Sequence, residues 1–76
     1  MRMSKMQHPV VWQTPEGEVV ACVEKNKVLK ENLEEIRQVC QDALEDAVLV
    51  GCGERQFRAV LSGLINDLKN PYPQRE

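Results

Sequence analysis

The 76-residue chain has little aromatic character, one histidine and no long apolar run. Aromatic residues make up 4% of it, and its longest uninterrupted apolar run covers residues 19–23. A membrane-spanning helix needs about 20 apolar residues, and the apolar core of a secretory signal needs about 7 to 15. We therefore expect no membrane segment and no secretory leader, which favours a cytoplasmic protein.

Paired cysteines and metal-ligand spacings are absent as well. The three cysteines, Cys22, Cys40 and Cys52, are an odd number separated by 18 and 12 positions. Disulfide frameworks need pairs, and zinc or redox motifs need closely spaced cysteines. His8 is the only histidine, and no acidic pair has the Glu-x-x-His spacing of di-iron bundles. These absences predict a reducing compartment, no metal or other cofactor, and no enzymatic activity.

Neither sign of charge dominates, because ten Lys and Arg residues face twelve Asp and Glu residues, for a formal charge of −2. A slightly negative protein is not attracted to nucleic acid, because the phosphate backbone attracts basic proteins. The net charge therefore disfavours nucleic-acid binding. With 42% apolar and 29% charged residues, the chain has the composition of a folded protein. Its length allows one small domain, residues 1–76, whose monomer would hide only about 62% of the unfolded surface.

The first third of the chain predicts a flexible head, residues 1–9, followed by a small β-hairpin. β-prone runs at residues 10–12 and 18–21 flank a turn containing Pro15 and Gly17, which are residue types that favour turn torsions. A two-stranded hairpin is barely stable by itself in water. Its apolar face, with Trp12 as the largest side chain, would therefore have to lie on the helices.

A long helix is predicted over residues 22–50, an interval without proline or glycine in which Leu, Glu, Lys, Gln and Ala predominate. Within it, apolar and small residues recur at alternating spacings of four and three, which is the a/d series of a coiled coil. This series is called the seam below. Its members are Cys22, Asn26, Leu29, Leu33, Ile36, Cys40, Ala43, Ala47 and Val50.

Gly51 is the residue type that ends helices in the left-handed conformation, and a second amphipathic helix is predicted over residues 54–69. Asn70-Pro71 stops it, and residues 70–76 form a tail. The fold class is therefore mainly α, an antiparallel helical hairpin over residues 22–69. The expected hairpin core comprises Leu44, Val48, Phe57, Val60, Leu61, Leu64 and Leu68.

The two predicted helices differ in length, at about 43 and 24 Å, so roughly 19 Å of the first helix stays uncovered. Leaving three apolar side chains of that stretch in water forgoes about 1.5 to 3 kcal/mol each, which favours a homodimer formed through the first helix. The alternative is that the head hairpin folds over them and a monomer suffices. The predicted self-association residues are Leu29, Leu33, Ile36, Cys40, Ala43 and Ala47.

Charge is unevenly distributed along the first helix. Between residues 31 and 46, six acidic residues face only Arg37, a local balance of −5, whereas Lys25, Lys27 and Lys30 precede this stretch. The pattern fits a solvated face, an antiparallel pair of copies, or docking of a basic protein partner of unknown identity. The sequence leaves the dimer orientation and the contact surface open.

Cys52 is the candidate reactive thiol, because it stands between two glycines and just before a helix start and Arg55. The positive end of a helix and a nearby cation both favour thiolate. The competing interpretation is an inert cysteine, since neither a resolving cysteine nor a histidine base lies nearby in the sequence.

Residues 46–64 superficially resemble a helix-turn-helix unit, in which Gly53–Ser62 would be the recognition helix. The resemblance is limited, because the preceding helix is too long and a third helix is missing. The sequence as a whole predicts a non-catalytic helical module for protein interaction or regulation, self-associating through its first helix. A helix-turn-helix nucleic-acid binder and a thiol-dependent redox protein are the alternatives.

Overall fold

A computed structural model describes residues 10–73, which form two helices in contact with each other. Helix α1 spans Val23–Leu49 and helix α2 spans Glu54–Asn66. The predicted mainly helical fold with two packed helices is confirmed. Helix α1 begins one residue after its predicted start and ends one residue before its predicted end. Helix α2 begins as predicted but ends three residues before its predicted end. The predicted flexible head and residues 74–76 of the predicted tail lie outside the described residues.

Local interactions support α1 along its exposed side. Lys30 Nζ lies 3.7 Å from Glu34 Oε2, and Gln38 Nε2 donates to Asp42 Oδ1 over 3.0 Å. Residues four apart are neighbours on a helix surface, and such pairs each contribute a few tenths of a kcal/mol. The long helix therefore forms without needing a tertiary partner at every turn.

The turn after α1 is a Schellman motif. Gly51 adopts a φ of 94°, Cys52 N donates to Ala47 O over 2.8 Å, and Gly51 N donates to Val48 O over 3.0 Å. These two bonds satisfy carbonyl groups that the end of a helix leaves without partners. The glycine that the sequence marks as a helix end thus reverses the chain and brings α2 back towards α1.

Helix α2 ends in a turn where hydrogen bonds between residues three apart begin to replace those between residues four apart. Asp67 N contacts both Gly63 O and Leu64 O, at 3.0 and 3.2 Å, and Leu68 N donates to Ile65 O over 3.2 Å. Leu68 remains 71% exposed, so no tertiary packing stabilises a further turn. The chain then bends, and Asn70 Oδ1 accepts a hydrogen bond from Tyr72 N. The predicted last turn is wrong for this reason.

The predicted N-terminal β-hairpin is also not supported, because residues 10–73 contain no strand. In its place is one isolated antiparallel bridge between Gln13 and Val19. The turn that connects them contains Gly17, which has a φ of 89°. Strand runs of three and four residues offer few ladder bonds, and no third strand is present in this part of the chain to complete a sheet. The turn residues therefore act as predicted, while the strands do not extend.

The helices form a single layer. The molecule measures 44 × 31 × 16 Å, and its thinnest dimension is less than two helix diameters of roughly 10 Å each. Among the described residues, Ala47 alone is buried. Of the predicted hairpin core, Leu44, Phe57 and Leu61 are half-buried, whereas the other members, Val48, Val60, Leu64 and Leu68, are exposed.

Candidate interaction surface

The contact between the helices involves the C-terminal half of α1 and the first half of α2. A groove of about 170 Å³ runs between them, and the half-buried side chains there show where the helices meet. It is called the interhelical groove below. Its lining residues are Arg37, Cys40, Gln41, Leu44, Phe57, Arg58 and Leu61.

The apolar face of α2 continues beyond this contact. Leu64 lies on the same face as Phe57 and Leu61, because the three residues are spaced by four and three, and Leu68 follows just after the helix end. Leu64 is 58% exposed, and the neighbouring Ile65 is also exposed. Helix α1 therefore covers only the first half of the face, and the second half is left in solvent.

The seam of α1 divides into a covered C-terminal part and a less covered middle. Ala47 is buried within the single chain at 7% exposure, while Cys40 and Ala43 are half-buried. Among the other predicted self-association residues, Leu29 and Leu33 are half-buried and Ile36 is 51% exposed. Ile36 is therefore the member of that set with the most free surface, and the prediction had placed equal emphasis on Leu29 and Leu33.

The segment before α1 reduces the exposure of the helix start. Asn26 Nδ2 donates to Val20 O over 3.0 Å, and Val20 borders an apolar depression together with Val28 and Leu29. The Oδ1 atom of Asn26 is buried and has no hydrogen-bond partner within residues 10–73. Asn26 thus uses its amide within the chain, where it ties the leading segment to the first turns of α1.

Two arginines lie at the rim of the interhelical groove in different electrostatic settings. Arg58 Nε is 2.8 Å from Glu54 Oε2 in a solvent-exposed ion pair. Arg37 takes part in none of the ion pairs found among residues 10–73. The acidic stretch of α1 is mostly solvated, with Asp42 and Glu45 accepting bonds from Gln38 and Gln41.

The pKa of the Cys22 thiol is lowered by its surroundings, and the reactivity predicted for Cys52 stays a prediction. Cys52 is exposed, and its Sγ donates to its neighbour's carbonyl, Gly53 O, at 3.6 Å. Cys22 is the N-cap residue of α1, where the backbone N–H groups of Lys25 and Glu24 lower the pKa of the thiol and the Lys25 ammonium adds to the effect. In the sequence, the lowered pKa of Cys22 is indicated only by the position of this cysteine directly before a long predicted helix.

The helix-turn-helix alternative depends on α2 as a reading helix. Helix α2 begins at Glu54, so Gly53 is its N-cap rather than its first helical residue. Arg55 and Gln56 are exposed on it, but Arg58 is engaged by Glu54. Nothing in this arrangement favours nucleic-acid binding over the competing functions.

Comparisons with known proteins give no assignment: no family model, curated protein or solved structure matches this chain. Within residues 10–73, neither helix has the length and apolar character needed to cross a membrane. The same residues contain no group of three or more His, Cys, Asp or Glu side chains arranged to hold a metal ion. The exposed apolar surface is therefore the feature from which a function can be inferred.

Proposed function

We propose that this protein is a non-catalytic helical interaction module that self-associates through α1. The observation that carries the proposal is the exposure of Ile36 and Val39 in the middle of α1, at 51% and 67%. Ile36 belongs to the seam, and Leu64 on α2 is exposed as well. A monomer leaves this surface in water.

The energetic cost of that exposure is large for so small a protein. Burying a Leu, Ile or Val side chain completely contributes about 1.5 to 3 kcal/mol, so half-exposed ones each forgo about 1 kcal/mol. Four such side chains lie on α1 and α2, and a fifth lies just after α2: Ile36, Val39, Leu64, Ile65 and Leu68. A domain of this size has a total stability of only about 5 to 10 kcal/mol. Covering the surface with another protein chain therefore changes the stability substantially.

A second copy of the chain is the proposed cover. In a symmetric homodimer the same apolar surface is used twice, so each copy covers what the other exposes. The regular seam spacing is that of helices that pack against other helices. Regulation of a larger complex, through a further partner protein, would use the surface that remains after self-association.

Sedimentation equilibrium between about 1 and 500 µM would test this proposal, since a Kd in that range corresponds to roughly 5 to 8 kcal/mol. We expect a monomer–dimer equilibrium that Ile36→Asp shifts strongly towards monomer, because a carboxylate would be placed in an apolar contact. Ser62→Asp, on the polar face of α2, adds the same charge as a control and should leave the equilibrium unchanged. A wild-type monomer at every concentration would overturn the proposal.

A further inference from the structure

A strip of exposed side chains follows α1 and its C-cap on the side that α2 leaves open. At about 100° per residue, these side chains lie within about 40° of Asn32, whereas Leu44, which lines the interhelical groove, lies about 120° away. The set is called the open strip below. Its exposed members are Lys25, Val28, Asn32, Ile36, Val39, Asp46 and Val50.

The two ends of the open strip carry opposite charges. Lys25 lies near its N-terminal end and Asp46 near its C-terminal end, about 32 Å apart along the helix. Neither side chain forms an ion pair with another of residues 10–73. Two parallel copies in register would place lysine beside lysine and aspartate beside aspartate, whereas antiparallel copies place each lysine near the aspartate of the other. The charges therefore favour the antiparallel arrangement.

The N-terminal end of the open strip also contains an apolar depression, formed by the start of α1 and the leading segment. Its lining residues are Val20, Lys25, Val28 and Leu29. An apolar side chain that follows a carboxylate by one helical turn could fill the depression while the carboxylate pairs with Lys25. Val50, which is 82% exposed, follows Asp46 by four residues and meets this description at the other end of the strip.

We propose that the open strip binds the open strip of a second copy of this chain in an antiparallel two-fold dimer, in which Val50 of each copy enters the depression of the other. The inference rests on the proposed self-association and specifies its geometry. In a two-fold pair the same surface is used on both copies, so the depression is filled and the lysine is paired at both ends of the dimer.

One register satisfies these contacts together. When Ile36 lies opposite Val39 of the second copy, Lys25 lies opposite Val50, because residue numbers that face each other across an antiparallel pair have a constant sum. Asp46 of the second copy is then one turn, about 6 Å along the axis, from Lys25, which the long lysine side chain can span. The exposed apolar middle and the charged ends of the strip thus match in the same alignment.

The arrangement leaves the contact between α1 and α2 undisturbed, because α2 lies on a different side of α1 from the open strip. The neighbouring carboxylates of Glu35 and Asp42 lie about 60° and 80° from Asn32. They therefore stand at the solvent edge of the proposed contact, where salt screens their repulsion.

Disulfide crosslinking tests the orientation. Lys25→Cys and Val50→Cys are introduced separately into a chain carrying Cys22→Ser, Cys40→Ala and Cys52→Ser, and the two variants are oxidised with diamide alone and as a mixture. In antiparallel copies of one variant the new thiols are about 38 Å apart, whereas the mixed dimer brings them together. We expect the mixture to form a covalent dimer at least about tenfold faster than either variant alone, because crosslinking is then intramolecular. Equal rates, or faster crosslinking of a single variant, would overturn the antiparallel arrangement.

Charge reversal, followed by sedimentation equilibrium, tests the ends of the strip. Lys25→Glu should raise the dimer Kd about fivefold or more, because it places two carboxylates together, and the double variant Lys25→Glu with Asp46→Lys should recover most of that loss. Lys27→Glu, which reverses an exposed lysine about 140° from Asn32, is the matched control and should leave the Kd unchanged.

The outcomes separate this geometry from self-association itself. A wild-type dimer that is insensitive to Lys25→Glu, or as sensitive to Lys27→Glu, contradicts the strip assignment but leaves self-association standing. A wild-type chain that stays monomeric at every concentration removes both proposals.

Discussion

The two ends of α1 are held in place by different means. At the C-terminal end, Gly51 reverses the chain, a pair of backbone hydrogen bonds closes the turn, and Ala47 is buried. At the N-terminal end, the cap residue Cys22 makes no side-chain capping hydrogen bond, and the bond from Asn26 Nδ2 to Val20 O attaches the leading segment. The comparison indicates that stability is concentrated at the C-terminal end, so equivalent changes should cost more there.

The largest effect is expected at Ala47, the buried residue of the C-terminal end. Ala47→Asp would place a carboxylate where it has neither water nor a cationic partner, which costs about 3 kcal/mol or more. Urea unfolding followed by circular dichroism would measure the loss. Ala59→Asp makes the same change on the exposed surface of α2 and should cost less than about 1 kcal/mol. Equal losses at the two alanines would contradict the view that the helices are joined at Ala47.

The turn itself should show the next largest effect. Gly51→Ala forces a side chain into the left-handed region, at a cost of about 1 to 2 kcal/mol, although no atom of the described part of the chain lies within 4 Å of the new Cβ. Gly63 lies within α2 and is equally uncrowded, so Gly63→Ala should stabilise the protein by up to about 1 kcal/mol. Opposite signs in thermal unfolding are therefore expected, and a stabilising Gly51→Ala would contradict the backbone assignment.

The same contrast explains how much of the fold can be predicted from the sequence. Helix α1 and its end at Gly51 are local features, encoded by helix-forming residues and by one residue type that tolerates a positive φ. The β-hairpin was predicted from equally suitable residues around Gly17, but strands need a neighbour to pair with beyond one bridge. Whether a neighbouring strand is available depends on the tertiary structure, and the residues around Val10 and Val19 do not encode it.

The candidate surface was predictable only in part for a similar reason. The seam spacing identifies Ile36 as an apolar contact residue, and Ile36 is exposed in the structure. The sequence does not show that α2 covers only the C-terminal part of α1 or that the leading segment lies along its start. Those two tertiary contacts decide that Ala47 is buried while Ile36 and Leu64 remain free, and neither can be read from periodicity.

At the N-terminal end, Asn26→Ala is expected to have a smaller effect. It removes the hydrogen bond to Val20 O, and losing one neutral hydrogen bond costs about 0.5 to 1.5 kcal/mol. Because Trp12 is the only tryptophan and lies half-buried in the attached segment, its fluorescence emission should shift to longer wavelength when the segment is released. Asn32→Ala, at an exposed position of the same helix, provides the control. An unchanged Trp12 spectrum in Asn26→Ala would show that this bond does not hold the segment.

The smallest expected effect concerns ionisation of Cys22. The backbone N–H groups of Lys25 and Glu24, aided by the Lys25 ammonium, lower the pKa of the folded-state thiol below that of the unfolded chain. The folded state thus favours the thiolate, and the resulting stabilisation is fully present above the unfolded-state pKa and is lost as the pH falls through the folded-state pKa. At neutral pH, iodoacetamide should therefore label Cys22 faster in the native protein than in urea, as followed by peptide mass. Slower native labelling at this exposed thiol would mean that the start of α1 does not stabilise a negative charge. The Cys22 thiolate would then contribute nothing to the stability of the N-terminal end.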